Sequence, residues 1–147
     1  MIRDISVVQE ATAAFKTGHV HAMHDPTEGG VLGGVFEMAL ASGLGFRIHE
    51  KRIPVASPTR AICKRLGVDP MRLIGSGSLL IAVNKSGVED VRAALSKLGI
   101  HTAEIGRFEK LGRSVVRADG SVDCVREGVV DELWRITRRY GTKWKTE

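Results

Sequence analysis

Apolar residues recur along this chain at two spacings, and the switches between them mark out its elements. Ile5, Val8, Ala11 or Thr12, and Phe15 fall at helical intervals, with Gly18 as a stop, which predicts a helix over residues 5–17. "HVHAMHD" alternates Val20 and Ala22 with polar partners and predicts a short strand ending near Asp25. A helix over about 26–42 follows, closed by Ser42-Gly43, and "GFRIHE" alternates again as a strand. "SPTRAICKRLG" places Ser57 as an N-cap, Pro58 at the first helical position and Gly67 as the stop; a short helix from Asp69 through Leu73 comes next. "SLLIAV", residues 78–83, is nearly continuous in apolar and β-branched residues, the pattern of a central strand covered on both faces.

"SGVEDVRAALSKLG" repeats Val88, Val91, Ala94 or Leu95, and Leu98 on one helical face before Gly99. "HTAEIGRF" and "SVVRADG" read as strands, with "SVDCVRE" as a third or as the continuation of a hairpin. "VVDELWRITRRY" is a final helix carrying Val130, Leu133, Trp134 and Ile136 on or near one face. No repeat or low-complexity linker interrupts this order. It predicts one α+β domain, a mixed sheet with helices packed on it.

Composition narrows the function classes. The 147 residues, 43% apolar and 27% charged, suit one domain with a single core. No apolar run approaches the roughly 20 residues of a spanning helix, and the first residues lack the apolar stretch of a secretory signal, so no membrane partner is expected and a cytoplasmic location is. The formal charge of +5 is concentrated at the end: "WRITRRYGTKWKTE" holds five Lys or Arg against one Glu, which leaves the remainder close to neutral. A basic tail without a patterned basic face or a recognisable motif argues against nucleic acid. Cys63 and Cys124 lie far apart and outside metal-ligand spacings, so no metal site or disulfide framework is expected. Cys63 sits on an apolar helical position as a small hydrophobe, and Cys124 alternates with Val122 along a strand. Trp134 belongs to core or interface, and Trp144 to the tail.

The densest chemistry is "HDPTEGG", residues 24–30. One account is purely structural: Asp25 as N-cap, Pro26 at the first helical position, and Glu28 reaching back to complete a capping box. Gly29 with Gly33, and Gly30 with Gly34, then form i,i+4 pairs that let the helix approach its neighbours closely. The other account is functional. A strand turning through glycines into a helix presents free N–H groups and a positive dipole end to an anion, although a carboxylate at position 28 opposes phosphate there. His24 beside Asp25 could act as a general acid or base. His21, three positions away on a strand end, points to the opposite side and makes a poor joint metal ligand; His49 and His101 read as exposed strand-end residues. "GSGS", residues 75–78, is a turn or a second anion cradle.

"MHDPTEGGVLGGVFEMALASGLGFRI", then "IPV", then "LGVDPMRLIGSGSLLIAV" and later "AEIGRF" resemble, in order and distance, the aminoimidazole ribonucleotide (AIR) synthase-related superfamily. Within it the chain is most similar to the C-terminal domain of the hydrogenase-maturation (HypE-type) branch. The resemblance covers residues 1–137 as a domain, from about residue 5, and leaves 138–147 as a mobile basic tail. It implies an α/β/α layered mixed sheet, partly ferredoxin-like, in a two-domain ATP-using enzyme. An N-terminal domain would bind ATP and Mg through most of the acidic ligands, and the C-terminal domain would form one wall of the cleft.

On that resemblance His24 and Asp25 are the catalytic candidates. Thr27, Gly29 and Gly30, with Ser76, Gly77 and Ser78 of the second Gly-bearing loop, are the cofactor-binding ones. The branch uses ATP to dehydrate a carbamoyl group carried on its own C-terminal cysteine. The partners implied are the N-terminal ATP-binding domain of the parent protein, a second copy in a homodimer, and a maturation partner protein. Three departures stand against that pattern: no ATP-binding domain precedes these residues, the last cysteine is Cys124 with Glu147 at the end, and position 28 is Glu where the branch commonly has Arg. The expectation is a domain inactive by itself; the alternative is a non-catalytic interaction or assembly module that keeps the fold without the chemistry.

Overall fold

The computed structural model describes residues 5–140. In chain order the helices are α1 (Val8–Phe15), α2 (Gly30–Ser42), α3 (Ser57–Leu66), α4 (Val88–Ser96) and α5 (Glu132–Tyr140). The strands are β1 (Val20–His24), β2 (Gly45–His49), β3 (Leu80–Val83), β4 (Gly106–Glu109), β5 (Arg113–Val116) and β6 (Val122–Cys124). Single 3-10 turns at Glu50–Arg52, Pro70–Arg72 and Lys85–Gly87 complete the set. Arg138 and Arg139 lie in the last turn of α5, while Trp144 and the remainder of the basic tail lie outside the described residues.

The strands form two sheets rather than one. β1 pairs antiparallel with β3, and a four-stranded mixed sheet has the order β4-β2-β5-β6, with β2 antiparallel to β4 and parallel to β5. The apolar run 78–83 is therefore not the centre of a large sheet. Its composition follows instead from being covered on both sides: Ile81 and Val83 pack towards α1 and α4, and Leu80 packs towards α2. Half-buried on each face, β3 needs apolar residues at successive positions despite having one partner strand.

Two clusters hold the fold. Leu32, Val35, Phe36 and Ala39 of α2 lie on Phe46, Ile48 and Val115 of the four-stranded sheet, with Met71 and Val125 at the margins. Ala14 of α1 and Val91 and Leu95 of α4 form the second, against Val20, Met23, Ile81 and Val83. The orientation of α1 is a surprise. Its small residue Ala14 is fully buried, while Val8 and Phe15, which announced the helix, are 69% and 68% exposed. Leu98 is exposed beside Val8, so apolar side chains face outward here.

α3 starts at Ser57 with Ala56 as its N-cap and no capping side chain, one residue earlier than Ser57 as N-cap would place it; Gly67, at φ 66°, closes it as expected. Asp69 caps the following turn through Met71 N–H (2.9 Å) and also accepts from Arg117 Nη1 (3.1 Å). Arg117 reaches Asp123 as well, through Nε at 2.5 Å. Burial alone would pull the guanidinium pKa down, but its bonds to Asp123 and Asp69 outweigh that and hold it above its ordinary value. Cys63 packs in the interior as the sequence suggested, whereas Cys124 is exposed.

Burial pushes the Cys63 thiol above the ordinary value of 9.0, and Asp69 and Glu132 add to the shift. A raised folded value makes stability independent of this group below the unfolded pKa and erodes it as pH rises through the folded one. Cys63→Ala should flatten that alkaline decline, whatever it does to absolute stability. Urea melts below and above pH 9.0 check the slope.

Candidate functional site

The loop 24–30 leaves β1 and does not become helix where a capping box would place it. α2 begins at Gly30, its N-cap is Gly29 at φ 72° and ψ 1°, and no side chain caps it. Asp25 and Glu28 are exposed, and neither carboxylate bonds to an N–H group among the described residues. The N-cap role for Asp25 and the reach-back of Glu28 are thus both overturned. The reason is conformational: Gly29 and Gly30 both take positive φ, 72° and 59°, and the chain turns through them before helix can start. The turn is closed by Gly30 N–H donating to Thr27 O at 3.3 Å.

The glycines also set how deeply the loop sinks. A Cβ at Gly30 would lie 2.4 Å from Leu73 O and 2.7 Å from Met71 O; one at Gly34 would lie 2.7 Å from Leu80 Cδ1. The close approach expected of the i,i+4 glycines is therefore present, made to the segment before β3 and to β3 itself. Gly75 N–H donates to Pro26 O (3.0 Å), which ties the second Gly-bearing loop directly to the first. Ser78 N–H returns to Gly75 O (3.0 Å) around Gly77 at φ 90°, a turn that requires glycine at its third position. The structure thus brings all eight candidate residues onto two adjoining loops. Asp25, Thr27, Ser76, Gly77 and Ser78 are exposed, Gly29 and Gly30 are buried, and His24 is partly exposed.

His24 is held on both ring nitrogens. Nδ1 lies 2.9 Å from Asp25 O and Nε2 lies 2.6 Å from Glu37 Oε2. Both partners are acceptors when the carboxylate is ionised, so the ring makes both bonds only with a proton on each nitrogen. Asp25 O and Glu37 thus fix the orientation of the His24 ring from both sides. Glu37, on α2, is a member of this cluster that the sequence reading missed; its i+13 separation from His24 carries no local signal.

A second missed residue is Asp131. It is 4% exposed, and its Oδ2 accepts from Gly29 N–H at 2.8 Å while its Oδ1 accepts from Leu133 N–H at 2.7 Å. It therefore caps α5 and at the same time fills the position an anion would take on Gly29. The amides of Thr27 and Glu28 have no acceptor among the described residues. Among the described residues, no group of three or more His, Cys, Asp or Glu is placed to hold a metal ion.

Fold and loops together define the family. Residues 3–119 match the family model described as "AIR synthase related protein, C-terminal domain", and the chain belongs to that family. It is 40% identical over 101 residues to the carbamoyl dehydratase HypE of Escherichia coli (strain K12), covering 69% of this chain and 29% of that protein. The crystal structure of E. coli HypE, a hydrogenase maturation protein, superposes with a TM-score of 0.74 at 32% identity, over 82% of this chain and 39% of that one. HypE in complex with ATP superposes with a TM-score of 0.67 at 25% identity, over 77% of this chain and 38% of that one. The chain thus spans well under half the length of the relatives it matches. No helix among the described residues is long and apolar enough to cross a membrane.

Proposed function

We propose that this domain forms one wall of the nucleotide and substrate cleft of an ATP-dependent enzyme resembling the HypE carbamoyl dehydratases. The observation that supports the reading is the junction of the two loops through Gly75 and Pro26, the loops that carry the exposed Asp25, Thr27 and 76–78 turn. The residues present fit a phosphate group in part. Thr27 Oγ1 and the amides of Thr27 and Glu28 can donate to its oxygens, while the Glu28 carboxylate and Asp131 work against it. ATP, held mainly by an N-terminal domain, would supply phosphoryl-transfer chemistry together with Mg. Asp25 contributes a carboxylate with no partner among the described residues to metal or substrate, and His24, anchored by Glu37, offers a proton.

Two outward apolar surfaces support a covering partner domain. One carries Val8, Phe15 and Leu98. The other is Val130, Leu133 and Trp134, exposed by 67%, 40% and 50% on the segment that adjoins the loop. An N-terminal ATP-binding domain is the partner proposed for them, with a second copy or a maturation protein meeting the assembled enzyme.

Amide spectra of the chain, mixed with the N-terminal domain of a HypE protein and Mg-ATP, test this reading. The resonances of Thr27, Glu28, Ser76 and Gly77 should shift, and the chain alone should not hydrolyse ATP. Shifts confined to other surfaces, or metal-dependent ATPase activity in the isolated chain, would sink it. The rival reading, an interaction module without chemistry, draws on the Asp131 carboxylate already seated on Gly29 N–H. It predicts nucleotide-independent association through α1 and α5 and no shift at the two loops.

A further inference from the structure

A second polar site lies at the opposite end of α2 from the 24–30 loop, about 20 Å away by the helical rise. There the connection from β4 to β5 crosses over the start of β2. The crossing is tight enough that a Cβ at Gly45 would fall 1.9 Å from Gly112 O, and Phe46 N–H donates to that same oxygen at 2.8 Å. It delivers Lys110 and Arg113 to one rim, and the segment after β6 delivers Arg126 to the other. Val125 N–H bonds to Arg113 O at 2.9 Å, which fixes the separation of the two rims. Between them is an open cavity of about 360 Å³, lined also by Leu44, Val125 and Cys124.

The charge of this cavity is one-sided. Lys110, Arg113 and Arg126 line it, and no acidic residue does. None of the three forms an ion pair with a carboxylate among the described residues, although Arg47, Arg92, Arg107, Arg117 and Arg135 all do. Arg113 is also held in place: its guanidinium lies 5.0 Å from the centroid of the Phe36 ring. A positioned guanidinium loses less freedom on binding a ligand than a free one. The C-terminal end of α2 opposes an anion here, an effect the caps reduce: Leu44 N–H returns to Ala39 O (2.9 Å) and Gly43 N–H to Leu40 O (3.2 Å), so two of the last carbonyls are satisfied within the chain.

We propose that this cavity binds an oxyanion, a phosphate or carboxylate group of a small ligand, with Arg113 as the fixed contact and Lys110 and Arg126 closing on it. A planar guanidinium meets either group through two parallel N–H bonds, and the apolar floor accepts a short carbon chain behind it. The site is separate from the two Gly-bearing loops and does not depend on their assignment.

The test is titration of the 147-residue chain at low salt with inorganic phosphate and, separately, with succinate, followed by amide spectra. Shifts should saturate in the millimolar range and centre on Gly112, Arg113 and Arg126, while Gly29 and Gly30 stay still. The anion that binds more tightly identifies the source chemistry. R113Q should weaken binding at least ~10-fold, the scale of a lost charge-assisted pair, with an unchanged melting temperature. Bound anion should also slow alkylation of Cys124 at the rim, with buried Cys63 as the internal reference. A K110Q/R126Q variant gives a second reading if R113Q disturbs Phe36. Shifts spread over the surface, no saturation with either anion, or affinity indifferent to all three substitutions would overturn the site.

Discussion

Asp25→Asn in a full-length enzyme built on this domain should lower turnover by about 100-fold or more, the scale of a lost charged or acid–base group. Thermal stability should not move. The structure makes this contrast sharper than a capping residue would allow. Asp25 is exposed, its carboxylate bonds to no first-turn N–H group, and α2 begins at Gly30, so neither Asn nor Ala removes a helix cap. Asp25→Ala should likewise leave stability within about 0.5 kcal/mol, where loss of a real cap costs about 1. Paired kinetics and melts of the two variants decide the matter. Full turnover in Asp25→Asn would leave the loop as a way into α2 and nothing more, whereas a melt lowered in step with turnover would trace the loss to folding.

Gly30→Ala should be the most destabilising single change in the loop. A left-handed conformation costs an L-residue about 1–2 kcal/mol, and at Gly30 the added carbon would also overlap two backbone oxygens, Leu73 O at 2.4 Å and Met71 O at 2.7 Å. Backbone cannot swing aside as a side-chain tip can, so the total should be on the order of 3 kcal/mol or more. Gly18→Ala is the control: its φ is 76°, but nothing lies within 4 Å of the new carbon. It should cost about 1–2 kcal/mol, the conformational part alone. Equal losses in urea melts of the two variants would show that the contact with the 71–73 segment carries no weight.

Most elements were legible because their apolar spacing is local information. β1, β2, α4, β5 and β6 follow from alternation or from the helical period, β4 starts only at Gly106 although the strand pattern begins at His101, and glycine stops at positions 43 and 67 are left-handed caps in the structure. The start of α2 was not legible in the same way. Asp-Pro-Thr-Glu satisfies every local rule for a capped helix start, but the two glycines after it adopt positive φ and postpone the helix. β3 shows a different limit. A continuous apolar run reports covering on both faces, and it cannot say whether helices or further strands do the covering. The outward face of α1 shows a third. Helical period fixes which residues share a side, while the choice of buried side depends on partners, and here the small face around Ala14 fits beneath α4.

At the site, the two Gly-bearing loops could be picked out as motifs, and their contact through Gly75 and Pro26 could not. Long-range pairings of single polar groups leave no periodic trace. His24 with Glu37 and Gly29 with Asp131 are both of that kind, the second across 102 positions of sequence.

Asp131 bears on where this domain ends. The family match stops at residue 119, yet the carboxylate that holds the loop's Gly29 comes from beyond it, and Val129 O lies 3.1 Å from where a Gly29 Cβ would be. Shared ancestry and shared mechanics therefore draw different boundaries on this chain. A fragment cut at the edge of homology would keep both clusters' helices and most strands but lose the peg that sets the loop. Comparisons of loop conformation or ligand binding between such fragments would then record the cut, and only pieces that retain the segment through α5 report on the loop itself.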